Sequence, residues 1–557
     1  MAREKVKKLG ELLIEFKYIT REQLEKALDH QEDSNDRLGD VLLDLGYISE
    51  SDLVEVLEFQ LGVERADLSK YVIDPSLAKY IPENIAQRYN AVPVSKDGDT
   101  LKVAMSDPSD LLAVDDMEMT SNLRVKPMIA TKSEISRIMT QIYEGTEDSS
   151  DVFDSLDYYK TEQDEPELDE LKRMVEDAPI VRLTNMIINQ AIQKRASDIH
   201  IEPQENIVRI RYRVDGVLRE HMTAPKYTQA ALVSRIKIIA DLDITKRRIP
   251  QDGRIAMNVR GMNIDMRVST LPTVNGEKVV IRLLTKDDSL INIENLGFTD
   301  HNLRRFENLI TQPHGIILVT GPTGSGKSTT LIAALNELND VEQNIVTIED
   351  PVEYQLAGIN QVHAKEKVGL TFANTLRSIL RQDPDIIMVG EIRDEETAEI
   401  AVRAALTGHL VLSTLHTNDS VSSVTRLVDM GIPPYLVAST VIGAMAQRLV
   451  RRLCNNCKEP YEAGIEEREF MDLEEGTTLY RASGCDKCGD TGYKGRMAVQ
   501  EILTVDDKVE KMIVKGADEI DIKEYAQSQG MIDLKHDGIE KVKQGLTSYQ
   551  ELARVIV

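Results

Sequence analysis

The sequence predicts an α/β multidomain protein whose central feature is a phosphate-cradling loop at the end of a buried strand. Three observations carry this reading. From Gly297 to Val557, apolar runs of strand length alternate with helical patterns, as in a mostly parallel sheet joined by helical crossovers. Within that region, Gly321-Pro322-Thr323-Gly324-Ser325-Gly326-Lys327-Ser328 matches GxxxxGK[ST], preceded by the strand-like Gly315–Thr320 and followed by a helical pattern over Ser328–Leu338. At the other end, residues 1–60 hold a gapless tandem repeat. A chain of 557 residues exceeds what one hydrophobic core can organise, so several domains are expected.

The repeat comes first. Lys8–Gln31 aligns with Arg37–Gln60, and Leu9/Leu38, Gly10/Gly39 and Gln31/Gln60 are among the identical pairs. Each copy reads as two short helices, the second starting at an N-cap, Thr20 or Ser49. Side by side, the copies would bury each other's apolar faces. Residues 61–145 change character: short β-like runs at Ala91–Val94, Leu101–Met105 and Val125–Ile129 alternate with helical patterns, which suggests a small α/β unit. Residues 146–170 are strongly acidic and read as a self-repelling, flexible linker.

Residues 171–296 read as a middle α/β domain. A helix over Ile180–Lys194 leads to strands at Ile199–Glu202, Ile207–Val214, Arg254–Asn258 and Met262–Val268. Arg209, Arg211, Arg213 and Arg254 lie on these strands and read either as phosphate contacts or as a solvated face. Residues 297–557 form the phosphate-loop domain, in which Pro434–Val450 reads as a core helix. His200, His221 and His363 are isolated and read as surface or hydrogen-bonded residues.

Composition excludes some function classes. An apolar fraction of 41% and a charged fraction of 29% describe an ordinary globular chain. The formal net charge of −27 argues against broad binding to nucleic acid or anionic membrane. No apolar run reaches the roughly 18 residues of a membrane span, and the N-terminus lacks the apolar core of a secretion signal, so a cytoplasmic protein is expected. The four cysteines form two CxxC pairs, Cys454/Cys457 and Cys485/Cys488. Two such turns can close a tetrahedral thiolate cage around zinc, with a redox pair or incidental thiols as the alternatives.

The chemistry centres on the loop. Gly321, Gly324 and Gly326 let backbone N–H groups converge on phosphate oxygens at a helix N-terminus. Lys327 would neutralise the outer phosphates, and Ser328, followed by Thr329, would ligate Mg²⁺. Three later strands end in functional groups: Ile345–Ile348 runs into Glu349 and Glu353, Ile386–Val389 into Glu391, and Leu410–Leu415 into His416. The carboxyl ends of parallel strands are where such groups gather. One carboxylate can orient the attacking water, another can hold Mg²⁺ through its shell, and a neutral donor can sense the γ-phosphate.

GPTGSGKST, TIEDPVEY, RQDPDIIMVGEIRD and TGHLVLSTLHTND together resemble the secretion ATPase superfamily, which includes type II secretion and type IV pilus assembly ATPases. The resemblance runs from about Pro179 to the C-terminus and more weakly over the N-terminal region. It implies a RecA-like ATPase core for residues 297–557, with Glu391 as the Walker B glutamate, Glu353 as the Asp-box carboxylate and His416 as a nucleotide-state sensor. It implies arginine fingers at Arg267 and Arg282, interface or nucleotide-proximal roles for Arg377, Arg381 and Arg393, and a zinc element at 454–488. It further implies ATP and Mg²⁺ as ligands, and a homo-hexamer at the inner face of the cytoplasmic membrane, where it drives an inner-membrane platform protein.

The tandem repeat resembles the cyclic-di-GMP-binding domain carried by some of these ATPases. That places a second ligand at Lys8, Leu9, Gly10, Gln31, Arg37, Leu38, Gly39 and Gln60. Copy one departs from the pattern: Lys8 stands where it has arginine and Lys17 where it has glycine. The other reading of the repeat is a helical docking module. The reading adopted for the whole chain is pilus assembly, closest to the pilus-extension ATPases. Type II secretion is its rival, and a nucleic-acid motor or a non-hydrolysing receptor scaffold are the other classes.

Overall fold

The computed structural model describes residues 7–34, 37–66, 68, 75–143, 178–259, 262–285 and 292–556; the acidic stretch 146–170 lies outside the described residues. The chain divides into two compact units, residues 1–286 and 287–557.

The first unit opens on the tandem repeat, α1 (Leu9–Glu15), α2 (Arg21–Ser34), α3 (Leu38–Asp44) and α4 (Glu50–Leu61). Leu12, Leu13 and Ile19 of copy one and Val41, Leu42 and Ile48 of copy two share one buried cluster, as the amphipathic patterns require. Ser49 caps α4 by accepting the N–H of Asp52. The repeated glycines have a packing reason. A Cβ on Gly10 would lie 2.7 Å from Leu24, and one on Gly39 would lie 3.1 Å from Leu53.

Next, β1 (Ala91–Asp97), β2 (Thr100–Met105) and β3 (Arg124–Ile129) form a three-stranded sheet where three short strands are predicted. The middle sheet has six antiparallel strands. They are β4 (Ala196–Pro203), β5 (Ile207–Val214), β6 (Val217–Pro225), β7 (Gln251–Val259), β8 (Met262–Thr273) and β9 (Gly276–Thr285), in the order β6-β5-β4-β9-β8-β7. β6 and β9 are absent from the predicted set. One face buries Ile199, Ile201, Ile210, Val279 and Ile281 in the core with helices Ala178–Gln193 and Gln229–Ile239. The alternate residues form a charged face, since successive side chains on a strand point to opposite sides.

The second unit is built on β10 (Gly315–Thr320), β11 (Ile345–Glu349), β12 (Asn360–His363), β13 (Ile386–Val389), β14 (Leu410–Leu415), β15 (Val441–Leu453) and β18 (Tyr493–Thr504). Their order is β12-β11-β13-β14-β10-β15-β18, parallel except for β18. Buried clusters cover both faces, which explains why these strands read as unbroken apolar runs. The short strands β16 (Glu459–Glu462) and β17 (Thr478–Arg481) pair between the two CxxC turns.

One expectation is corrected here. Pro434–Val450 is not a core helix: a helix covers only Pro434–Thr440, and Val441–Leu453 is β15, paired with β10 and β18. A continuous buried run carries no period that separates helix from central strand, so the pairing decides.

Candidate functional site

The phosphate loop joins β10 to the helix Lys327–Glu337. Gly321, Gly324 and Gly326 adopt φ of +146°, +78° and +91°, conformations that favour glycine. A Cβ on Gly321 would lie 2.5 Å from the carbonyl of Gln447, and one on Gly326 would lie 2.6 Å from the Gln447 amide. Pro322, Thr323, Gly324 and Ser328 are exposed around the cradle, Thr329 is half-buried, and Ser325 Oγ is buried with no hydrogen-bond partner among the described residues. Lys327 is 9% exposed and its Nζ donates to the carbonyls of Gly321 (2.8 Å) and Pro322 (3.1 Å). Burial pushes its ammonium pKa down, and the nearby Glu391 pulls it up. A glycine-walled cradle with a buried cation and an unpaired hydroxyl fits a nucleotide phosphate chain.

The neighbouring strands deliver the remaining groups. Glu391 follows β13, and the backbone leading to it is pinned by Gly390 N–H to Ile348 (2.8 Å), Thr414 Oγ1 to the Gly390 carbonyl (2.7 Å) and Ile392 N–H to Thr414 (3.1 Å). Its largely buried carboxylate meets Arg393 at 2.5 Å and His416 Nε2 at 3.7 Å. Glu391, His416 and Lys327 are therefore gathered at one end of the sheet. Glu353 is half-buried on the loop after β11. Within the same segment, Glu349 is 5% exposed and accepts from Thr347 (2.6 Å) and Gln361 (2.9 Å), a structural carboxylate. Of the other arginines singled out in this unit, Arg377 pairs with Glu396 and Arg381 donates to the Arg377 carbonyl.

Arg267 and Arg282 are directly opposed on β8 and β9 of the first unit. The register continues the row on both sides: Arg254 opposes Arg267, Asp198 opposes Arg282, and Arg213 opposes Asp198. Five strands thus present Arg213, Asp198, Arg282, Arg267 and Arg254 on one face. Asp198 takes the Nε of Arg282 at 3.0 Å, and Glu202 binds Arg209, Arg211 and Lys278 at about 3 Å each. Burial opposes ionisation of Glu202, but these cations outweigh it and hold its pKa at about 2. His200, on the same face, corrects the expectation of a surface or hydrogen-bonded residue: both ring nitrogens are buried and have no hydrogen-bond partner among the described residues. His221 meets the expectation, bonding Gln190 and Lys194.

The four cysteines converge. Their sulfurs all lie within 4.8 Å of one another, with Cys454–Cys485 at 3.9 Å, Cys457–Cys488 at 3.8 Å and Cys485–Cys488 at 3.7 Å. Zn–S bonds of about 2.3 Å in a tetrahedron require S···S separations near 3.8 Å, so the set fits zinc. Cys488 Sγ accepts N–H groups from Cys485 and Gly492, each at 3.2 Å. Burial raises its pKa, but those backbone donors prevail and the thiol is lowered to about 6.

In the repeat, Arg37 is exposed and pairs with Asp107, Gln60 Nε2 donates to the Lys7 carbonyl at 3.2 Å, and Lys8 is exposed beside α1. Gly10 and Gly39 are explained by helix packing, as given above. Leu9 and Leu38 pack against the same buried cluster. Gln31 ends the matching stretch of α2.

Sequence reasoning missed Gln447 and Arg448, which brace the loop from β15, and Asp198. The available trace of the first two was a pair of polar residues inside an otherwise apolar run.

No described helix is long and apolar enough to cross a membrane. A family model described as Type II/IV secretion system protein matches residues 173–554, and a second, the MshEN domain, matches residues 61–149. The chain is 44% identical over 557 residues to the type IV pilus assembly ATPase PilB of Myxococcus xanthus, covering 98% of each. It is 49% identical over 435 residues to the type II secretion system ATPase E of Vibrio cholerae, covering 76% of this chain and 86% of that one. The ATPase DotB of Yersinia pseudotuberculosis has a related fold: TM-score 0.50 at 19% identity, covering 67% of this chain and 92% of that one.

Proposed function

The chain belongs to the type II/IV secretion system protein family of motor ATPases, and from that premise we propose that it hydrolyses ATP to power type IV pilus assembly. The observation that carries the pilus reading is extent: similarity to the pilus assembly ATPase spans 98% of both chains, N-terminal repeat included. Type II secretion is the second reading, favoured by 49% identity to a type II ATPase over 76% of this chain.

In the proposed mechanism, ATP lies on Gly321–Thr329. The loop's N–H groups and Lys327 bind its phosphates, and Ser328 would hold Mg²⁺, which would supply charge neutralisation at the transferred phosphoryl group. Glu391 orients the attacking water and accepts its proton; Arg393 and His416, in contact with it, fix its rotamer. Glu353 assists on the metal side, and His416 reports on the γ-phosphate. Arg267 and Arg282 bind phosphate oxygens through their guanidinium forks. Six copies form a ring against an inner-membrane platform protein, to which turnover is coupled. The four cysteines hold a structural zinc ion that takes no part in the reaction. The tandem repeat binds cyclic-di-GMP through Arg37 and its counterparts, so that a second nucleotide sets the motor's output.

The test is Glu391→Gln. It should retain ATP binding while lowering turnover about 10²-fold or more, and cells carrying it should make no pili. Unchanged turnover would sink the mechanism. Normal pili with failed protein export would move the assignment to type II secretion.

A further inference from the structure

β15 runs beside β10, and its pairing of Ala446 with Thr320 brings Gln447 and Arg448 alongside the start of the phosphate loop. Gln447 is 2% exposed, so its amide must be satisfied inside the protein. Its Nε2 donates to the Ser325 carbonyl at 2.8 Å, and its Oε1 accepts the Thr330 hydroxyl at 2.8 Å. One side chain thereby bridges the loop and the first turn of the helix that follows it. Glycine at 326 leaves room for that amide, which a Cβ there would meet at 2.6 Å, and glycine at 321 leaves room for the Gln447 main-chain carbonyl, which a Cβ there would meet at 2.5 Å.

Arg448 extends the contact. Its Nη1 donates to the Gln447 carbonyl at 3.1 Å and its Nη2 to the Asn418 carbonyl at 2.8 Å. Asn418 stands two residues past His416, and between them Thr417 N–H donates to the Thr320 hydroxyl at 2.8 Å, at the end of β10. The loop that leaves β14 is therefore fastened to the end of β10 through Thr320 and to the strand bracing the phosphate loop through Arg448.

We propose that Gln447 and Arg448 are positioning residues for ATP turnover: Gln447 sets the conformation of the phosphate-binding loop, and Arg448 ties it to the loop carrying His416. Ser325 precedes the Gly326 and Lys327 N–H groups, which open the helix at the phosphate cradle. Holding its carbonyl fixes the peptide plane of the Ser325–Gly326 bond and so the direction of the Gly326 N–H. A link from that anchor to the His416 loop lets a shift at one be felt at the other. This rests on the reading of Gly321–Thr329 as the ATP site, which Lys327→Ala tests separately by abolishing nucleotide binding.

The experiment is steady-state ATP hydrolysis by the full-length protein, with melting temperature followed in parallel. Gln447→Leu and Thr330→Val each remove hydrogen bonds to a buried partner and should raise KM for ATP about tenfold, with kcat within about twofold. Thr330→Ser keeps the hydroxyl and should restore the wild-type KM. Arg448→Lys loses the two-pronged contact and should lower kcat about fivefold or more while KM stays within about twofold. Wild-type KM in both Gln447→Leu and Thr330→Val overturns the loop-setting role, and a lowered melting temperature with unchanged KM marks Gln447 as scaffold only. Wild-type kcat in Arg448→Lys overturns the link to His416. Full ATP binding by Lys327→Ala would instead overturn the reading of the site.

Discussion

Lys17 adopts φ +66° in the turn between α1 and α2, while the matching position of the second copy is Gly46 at φ +68°. A left-handed backbone costs a side-chain-bearing residue about 1 kcal/mol relative to glycine, so the two copies share a turn that only one of them makes without strain. Lys17→Gly should therefore stabilise the first helical pair by about 1 kcal/mol, less the greater freedom of glycine in the unfolded chain. Slower amide hydrogen exchange across residues 9–28 is the readout, and unchanged or faster exchange would show that the turn holds no strain. Here the sequence was legible: the aligned position marked Lys17 as the departure. The paired glycines were less so, because the closeness of Gly10 to Leu24 and of Gly39 to Leu53 depends on how two helices cross. Those contacts give Gly10 and Gly39 a packing reason of their own, so Arg37 is the more diagnostic residue for a bound nucleotide.

Among elements, β15 is one the sequence disguised, because its run reads as helix. Its buried run has no usable period, and the helix Pro434–Thr440 leads straight into it. The strand then joins two functions. Its middle holds Gln447 and Arg448 against the phosphate loop, and its end passes directly into Cys454. The cysteine element was legible from spacing alone, since four sulfurs in two CxxC turns admit few other arrangements. Its fold was not, because β16 and β17, which pair between the turns, are only four residues each. We expect one zinc per chain by elemental analysis. Cys485→Ser should lose that metal, lower the melting temperature and speed amide exchange from Cys454 to Tyr493, because a structural site contributes its binding energy to folding. Metal-free wild-type protein with the same melting temperature would show that the cysteines are incidental.

At the scale of the whole molecule, charge sets what the chain can meet. The sequence supplied the net charge of −27 and the arginines of the middle domain, but not their register. The cross-strand row of Arg213, Asp198, Arg282, Arg267 and Arg254 exists only once β9 is placed between β4 and β8, and β9 was not predicted. The placement decides what the basic face can do. Glu202 engages Arg209, Arg211 and Lys278, Asp198 engages Arg213 and Arg282, and Asp265 engages Arg254. Three carboxylates thus occupy six of the cations, and a duplex would have to displace them while approaching a protein of like charge. Non-specific DNA binding draws its free energy from counterion release at phosphates met by cations, and exchanging these carboxylates for a duplex would subtract from it. Double-stranded DNA should therefore change ATP turnover by less than about twofold even at 50 mM salt, where such binding is strongest. Stimulation of several fold that disappears on raising the salt would return the nucleic-acid motor to contention.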